Sequence, residues 1–395
     1  MAPLNTKSKP KTLDEYSTLS GETDRLQQNE HEFEMLLYGI YGEIGSLLSA
    51  IKKVKRDTLS PKEAHISGEE LGDALWYLFA LARAFEIPPS TIGNKCLEIL
   101  GGRKNGTPTF RVIHAQIEAD PAKHDINDRS SVIKKMIASV NKIMEIKPST
   151  QANDREDILA EALSKLAITS ASLDLTIEDV AEENLTKNAS RWPSEKDRNY
   201  IPLFDESSPE NERFSRSFEM VFEERTVNNK VYCFITMNGV NIGDRLTDNN
   251  HQKDDYKFHD VFHLAYLTHL GWSPVLRALL KVKRKSNPAT DENEDGARAI
   301  IIEEGISTWI FNHARDGENN FYDNVEVGKL EYSLLKQVAN LVKGCEVEKC
   351  PLWQWEMAIL DGFKMYRSLV QHRAGTIKVD LNNRTITFTK HGQPI

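Results

Sequence analysis

The chain has 395 residues, of which 39% are hydrophobic and 28% charged, with a formal net charge of -9 and a pI near 5.8. This length predicts two or three domains, and the acidic balance argues against a general nucleic-acid-binding protein, because phosphate contacts require a basic surface. No apolar run approaches ~20 residues and the polar N-terminus lacks the apolar stretch of a signal peptide, so we expect a cytoplasmic protein without a membrane span.

The first half of the chain, up to about Trp192, has the periodicity of α-helices. Between Phe33 and Lys55, apolar residues recur about every 3.6 positions, which predicts an amphipathic helix. Ser67 and Glu70 have the spacing of a capping box, so we expect the next helix to begin at Ser67. The predicted helices of this region cover residues 33–55, 67–87 and 90–101, with a loop over 57–66.

A weak internal repeat follows these helices. Residues 69–92 align without gaps on residues 157–180. Upstream, residues 132–146 are amphipathic like residues 33–55. The sequence therefore predicts a tandem pair of helical units, the first over 12–107 and the second over 112–193.

Three carboxylates share one edge of the second predicted helix. Around that helix Glu69 and Asp73 lie about 40° apart, and Glu70 and Asp73 lie about 60° apart. Glu43 interrupts an apolar run in the preceding helix, where a carboxylate is costly unless it is paired or bound to a metal. If the two helices are antiparallel, Glu43 lies opposite Glu70 and Asp73, and such oxygen ligands suit Mg²⁺. The alternative is that Glu70 only caps its helix together with Ser67.

The segment from Glu69 to Leu78 reads EELGDALWYL and resembles the E-x-x-D motif of the MazG-like all-α pyrophosphohydrolases. That family also has an E-x-x-E motif, for which this chain has Glu43-Ile44-Gly45-Ser46, with serine in place of the second glutamate. The resemblance covers residues 12–105 well and residues 112–193 loosely. It implies a four-helix unit, usually in a homo-oligomer, that cleaves nucleoside triphosphates to monophosphate and pyrophosphate.

The resemblance also implies roles for individual residues. Glu43, Glu70 and Asp73 would hold Mg²⁺, and Glu69 would orient or deprotonate a water molecule. Basic residues near the end of the Glu43 helix are candidates for binding the polyphosphate: Lys52, Lys53 and Arg56.

The second helical unit ends with residues that resemble the Asn-x-x-Lys and Arg positions closing MazG-like domains. In this chain they are Asn184, Lys187 and Arg191, although the two basic residues equally fit a solvated helix face. Glu161 is the acid nearest to the position equivalent to Asp73. We therefore expect the second unit to be catalytically degenerate and to complete a pseudo-dimer with the first.

The pattern changes after a predicted linker over residues 192–211. Two β-hairpins are expected, at 218–237 around Asn228-Asn229 and at 376–389 around Asn382-Asn383. Between them, helices are predicted over 257–281, 295–314, 327–343 and 352–371. This is an α+β domain over 205–395. Its basic run KVKRK, residues 281–285, fits either a phosphate or nucleic-acid contact or a solvated helix end.

A candidate metal pair lies in this C-terminal domain. His259 and His263 are about 40° apart on one helix face, with Asp260 beside them. Glu303 or Glu304, within ARAIIIEEGIS, would supply a further ligand. Imidazole ligands favour zinc, manganese or iron over magnesium. The alternatives are two core histidines satisfied by their neighbours, or an ordinary helix–helix ion pair.

The sequence as a whole predicts a multidomain hydrolase of NTPs or dNTPs that serves nucleotide-pool control or antiviral nucleotide depletion. A second hypothesis is a two-domain effector, in which the helical half binds nucleotide and the C-terminal domain is a metal-dependent hydrolase or a sensor. A third is a binding scaffold with vestigial sites. The serine at position 46 favours the second and third hypotheses.

Overall fold

The structure is a computed structural model, and it describes residues 12–26, 32–57, 63–104, 106–147, 149–194 and 197–391. The chain divides into two compact units, Met1–Glu195 and Lys196–Ile395. Within the described ranges the first unit is helical, and the second combines helices with an antiparallel sheet. No helix in those ranges combines the length and the apolar content needed to cross a bilayer.

Several helices of the first unit begin at local capping signals. Thr12 and Glu15 form a capping box at the first helix, and Thr109 and Thr176 cap two later ones through their hydroxyl groups. The helices are α1 (Leu13–Gly21), α2 (Glu32–Asp57), α3 (Glu63–Ala84), α4 (Pro89–Ile99), α5 (Phe110–Glu118), α6 (Arg129–Met144), α7 (Ala152–Ser172) and α8 (Ile177–Arg191).

Helix α3 begins earlier than the sequence predicts. It starts at Glu63, so Ser67 is a buried interior residue and the predicted capping box with Glu70 is wrong. The predicted loop over 57–66 ends before Glu63 for the same reason. Once a helix is nucleated, each further residue adds a backbone hydrogen bond, so strong helix formers extend it without a side-chain cap. Glu69 and Glu70 consequently lie about two turns into the helix, free of any capping role.

The packing of the first unit follows the internal repeat. Helix α2 pairs with α3 as α6 pairs with α7, and α3 packs against α8 as α7 packs against α4. Residues 78–82 of α3 and the aligned residues 166–170 of α7 are all buried, so both helices are covered on every side. Both halves of the repeat contribute to one continuous hydrophobic core.

The second unit is an α+β structure. Its helices are α9 (Asp260–Leu270), α10 (Pro274–Leu279), α11 (Pro288–Asn293), α12 (Ala297–Arg315), α13 (Tyr332–Leu341) and α14 (Leu352–His372). Its strands are β1 (Ser217–Val227), β2 (Lys230–Met237), β3 (Val240–Asn241), β4 (Ala374–Asp380) and β5 (Thr385–Thr389). The sheet order is β3-β2-β1-β4-β5, and α9 and α14 pack together and contact β4 and β5.

Both predicted hairpins are present in this sheet. Asn228 and Asn229 join β1 to β2 with φ values of 51° and 60°, the left-handed conformation that a tight hairpin turn requires. Strands β4 and β5 form the second hairpin. The two hairpins become one sheet because β1 pairs antiparallel with β4, which brings Phe222 opposite Gly375.

Two predictions for this unit are wrong in detail. The helix expected over 257–281 is interrupted, because Gly271 ends α9 with a φ of 69° and Ser273 caps α10. The second half of the predicted linker is part of the fold: the Tyr200 hydroxyl lies 2.8 Å from Nδ1 of His269, and buried Asp205 forms a 2.9 Å ion pair with Arg216.

One residue of the basic run at 281–285, Arg284, is not available as a surface cation. Arg284 is buried and donates to Asp295 and Glu346, with N···O distances of 2.7 Å and 2.6 Å. A buried guanidinium requires such partners, since an unpaired buried charge is costly. The arginine of KVKRK therefore forms internal ion pairs and is unavailable for a phosphate.

Candidate functional site

The predicted acidic cluster forms between α2 and α3. Glu43 on α2 and Glu70 and Asp73 on α3 each place a carboxylate oxygen within 4.8 Å of the others, and all three side chains are half-buried. The two helices approach closely at Gly39, where an added Cβ would lie 2.2 Å from Cε1 of Tyr77. The glycine thus makes room for the Tyr77 ring, one turn beyond Asp73.

The protonation of Glu43 is shifted by its surroundings. Burial, the negative charge of Asp73 and a hydrogen bond with Glu70 raise the pKa of Glu43 to about 8. Burial and the charges of Glu43 and Asp73 raise the pKa of the nearby Tyr77 hydroxyl to about 12. The cluster therefore repels additional negative charge and favours a proton or a cation in its centre.

Helix α8 brings a cation and an amide to this cluster. Lys187 hydrogen-bonds both oxygens of Asp73, and its Nζ lies 3.7 Å from Oε1 of Glu69. The amide of Asn184 donates to Oδ1 of Asp73 at 2.8 Å. Gly72 permits this approach, because a Cβ there would lie 3.0 Å from Cβ of Asn184 and 3.3 Å from a backbone oxygen of α8.

Asn184 is oriented by neighbours that sequence reasoning did not identify. The buried Tyr16 hydroxyl donates to its Oδ1 at 3.1 Å, and Asn188 donates to the same oxygen at 3.2 Å. With Oδ1 occupied by two donors, the amide nitrogen points to Asp73. The sequence could have indicated Asn188, because it lies one helical turn after Asn184 on α8. No sequence pattern indicates Tyr16 on α1.

The other predicted polyphosphate ligands lie elsewhere. Lys52, Lys53 and Arg56 are exposed near the end of α2, with Lys52 about two and a half turns beyond Glu43. The Arg191 guanidinium lies over the Trp192 ring, 4.2 Å from its centroid. Ser46, in place of the expected second glutamate, is exposed on α2.

The corresponding carboxylates of the second half are engaged in ion pairs. Glu161, aligned with Asp73, lies 2.7 Å from Nζ of Lys142. Asp157, aligned with Glu69, lies 2.7 Å from Nζ of Lys95, which also contacts Glu156 at 3.0 Å. Each of these two carboxylates is thus paired with a lysine.

A second cluster lies in the second unit, between α9 and α12. His259, Asp260 and His263 place ligand atoms within 4.8 Å of one another. Nε2 of His259 is 3.2 Å from Oδ1 of Asp260, and Oε2 of Glu304 is 4.0 Å from Nε2 of His259 and 3.6 Å from Nε2 of His263. The structure therefore brings together all four residues that the sequence suggested for a second metal site.

Glu303 orients His263 and is not placed as a ligand. Its Oε1 lies 2.8 Å from Nδ1 of His263, and it also accepts from the Ser273 hydroxyl at 2.7 Å and from the Val275 amide at 2.8 Å. Although burial opposes it, the carboxylates of Glu303 and Glu304 raise the pKa of His263 well above its usual value. The sequence signal for Glu303 is its position directly before Glu304, after three isoleucines.

Comparison with known proteins finds a similarity in the second unit. Residues 199–392 match the family model described as the MazG C-terminal domain. This match supports a relationship to the MazG family, and it covers the second cluster but not the helical unit with the Glu43 cluster. No curated protein and no solved structure matches the chain.

Proposed function

We propose that the first unit is a Mg²⁺-dependent nucleoside triphosphate pyrophosphohydrolase. The observation that carries this proposal is the cluster of Glu43, Glu70 and Asp73, with oxygens within 4.8 Å and Lys187 at its edge. The match of the second unit to a MazG domain supports a nucleotide-related hydrolase. The motif EELGDALWYL supports the finer assignment through its resemblance to the MazG-like pyrophosphohydrolases.

The cluster fits magnesium because its donors are carboxylate oxygens, which a small hard cation prefers. Burial and the neighbouring carboxylates of Asp73 and Glu70 raise the pKa of Glu43 to about 8, so the site favours positive charge. Magnesium held by Glu43, Glu70 and Asp73 would neutralise phosphate charge and lower the pKa of a bound water.

The remaining residues of the site suit the handling of a polyphosphate. Glu69 lies beside the cluster, 3.7 Å from Lys187, where its carboxylate can accept a proton from an attacking water. Lys187 can exchange its contact with Asp73 for a phosphate oxygen, since its ammonium group is a compact charge on a flexible stem. Asn184, on the same helix as Lys187, donates a further hydrogen bond to Asp73 and helps to hold its orientation.

A second candidate function is nucleotide binding without hydrolysis. It is favoured by the exposed Ser46, which removes one carboxylate expected in the motif, and by the ion pair between Lys187 and Asp73. Under this hypothesis the helical unit would sense nucleotide for the second unit.

Pyrophosphate release from a panel of NTPs and dNTPs separates the two functions. With Mg²⁺ we expect turnover of at least one nucleotide, and chelation by EDTA should stop it. Asp73→Asn should lower the rate by at least ~100-fold with the fold intact, because metal-bound charge stabilisation is worth several kcal/mol.

The matched control is Asp154→Asn, which changes an exposed aspartate on α7 in the same way. It should retain the full rate. Full activity of Asp73→Asn would exclude the assigned site, whereas nucleotide binding without turnover by the unmodified protein would support the sensing function.

A further inference from the structure

The second cluster combines imidazole nitrogens and carboxylate oxygens around one point. Oε2 of Glu304 lies 3.6 Å from Nε2 of His263 and 4.0 Å from Nε2 of His259, and Asp260 adds an oxygen 3.2 Å from Nε2 of His259. Ligand atoms around a four-coordinate ion with bonds of about 2.1 Å lie about 3.4 Å apart. These three separations are thus already close to those that a shared metal ion requires.

Hydrogen bonds fix both imidazole rings with Nε2 turned toward this point. Nδ1 of His259 lies 2.9 Å from the backbone oxygen of Tyr256, which can only accept, so Nδ1 donates there and Nε2 is the nitrogen turned toward Asp260 and Glu304. The ring is also held by stacking on Tyr256, with centroids 4.4 Å apart and planes 2° apart. On His263, Nδ1 faces the carboxylate of Glu303. This carboxylate–histidine arrangement is typical of metal-binding imidazoles.

A buried polar atom at this point lacks a hydrogen-bond partner. The His263 side chain is 0% exposed, and its Nε2 makes no hydrogen bond, since Oε2 of Glu304 at 3.6 Å is beyond bonding distance. Buried polar atoms normally have a hydrogen-bond partner. Nε2 of His263 has none and lies beside other potential metal ligands, which indicates that a bound ion is its missing partner.

We propose that His259, Asp260, His263 and Glu304 bind a divalent transition-metal ion in the second unit, with Glu303 as the residue that positions His263. Two imidazole nitrogens and two carboxylates select zinc, manganese, iron or cobalt over magnesium. Glu304 is 42% exposed, so the site opens to solvent on its side. The proposal is independent of the pyrophosphohydrolase activity of the first unit, because none of its residues belongs to the Glu43 cluster.

Cobalt binding by the full-length protein tests this site. The protein is freed of metal by chelation, incubated with Co²⁺ and desalted, and the retained cobalt is measured by elemental analysis and by its visible absorption. We expect at least one equivalent per chain, with absorption bands of nitrogen-coordinated Co²⁺ that distinguish this site from the carboxylate-only cluster of the first unit. His259→Gln and Glu304→Gln should each weaken binding by at least ~10-fold, the lower end of the effect of losing a contact to a metal site.

Three comparisons make the result decisive. Substituting the fully buried His263 would disturb the fold, so the substitutions are made at His259 and Glu304, which are partly exposed. Circular dichroism must show that both variants fold. Asp73→Asn should retain the absorption bands of nitrogen-coordinated Co²⁺, since it alters only the first cluster. His313→Gln changes a histidine on helix α12 that lies outside the cluster, and it should also retain these bands. Absence of cobalt from the unmodified protein, or undiminished retention in both His259→Gln and Glu304→Gln, would refute the site in favour of an imidazolium paired with two glutamates.

Discussion

Glu43 has an environment that favours its neutral form. Burial and two neighbouring carboxylates raise its pKa from 4.5 to about 8, so the folded protein without a cation binds a proton here that the unfolded chain releases at lower pH. The resulting stability is fully present below about pH 4.5 and is lost as the pH rises through 8.

We predict that Glu43→Gln removes this pH dependence. In EDTA, the free energy of unfolding of the variant relative to the unmodified protein should increase between pH 5 and pH 9 by about 1 to 3 kcal/mol, a value reduced from the full shift because the side chain is only half-buried. Urea titrations at the two pH values measure it. Glu98→Gln, at an exposed glutamate of α4, is the control and should leave the pH dependence unchanged. Parallel curves for the two variants would contradict the assigned environment of Glu43.

Lys187 and Asn184 belong to the acidic site although they are far from it in the sequence. They lie 114 and 111 positions from Asp73 and contact the same carboxylate. The cluster is thus composed of side chains from both halves of the repeat, and the pairing of Lys187 with Asp73 stabilises the site when no cation is bound.

The packing of α8 against α3 determines the position of Lys187 and Asn184 relative to Asp73. Gly72 lies within EELGDALWYL, and a Cβ at this position would already be 3.0 Å from Asn184. The glycine in the motif therefore has a packing role, since any larger residue must push α8 and its lysine away from Asp73.

We expect Gly72→Val to destabilise the protein by about 1 to 3 kcal/mol, the usual cost of an overpacked core, and to lower pyrophosphate release. Gly45→Val is the matched control, because a Cβ at this helical glycine of α2 meets no atom within 4 Å. Its stability should change by less than about 0.5 kcal/mol, since valine and glycine differ little in helix propensity. Thermal unfolding of both variants decides the point, and equal melting temperatures would show that α3 and α8 do not approach this closely.

At the scale of the whole molecule, the two units have separate hydrophobic cores. Within the first, α3 and α7 are central, because five consecutive residues of each are buried. Neither half of the repeat can cover its own central helix, since α8 covers α3 and α4 covers α7.

Truncation tests this interdependence. A fragment of residues 1–107 should aggregate or self-associate and should lack pyrophosphohydrolase activity, because it loses Lys187 and exposes the apolar faces of α3. A fragment of residues 1–195 should unfold cooperatively. Size-exclusion chromatography and urea unfolding compare the two, and a monomeric, active 1–107 fragment would show that the first half is self-sufficient.

The sequence by itself determined the features that depend on local order. Helical and strand periodicity, the Asn-Asn turns and the acids of one helix edge are short-range properties, so the helical first half, both hairpins and the grouping of Glu70 with Asp73 could be predicted. The i, i+4 spacing likewise placed His259 and His263 together. Even among these local features, the predicted start of α3 at Ser67 is wrong. The capping signal at Ser67 competes with helix propagation from Glu63, and propagation prevails.

Only the tertiary structure decided which distant groups meet. The approach of α8 selected Lys187 over Lys52, Lys53 and Arg56 as the cation of the acidic cluster, and side-chain burial turned Arg284 from a candidate phosphate ligand into the centre of an ion-pair network. Similarly, the packing of α12 on α9 separated the adjacent Glu303 and Glu304 into an orienting acid and a potential ligand. Neighbouring residues on a helix point about 100° apart, so their roles depend on what the helix packs against, which no local pattern contains.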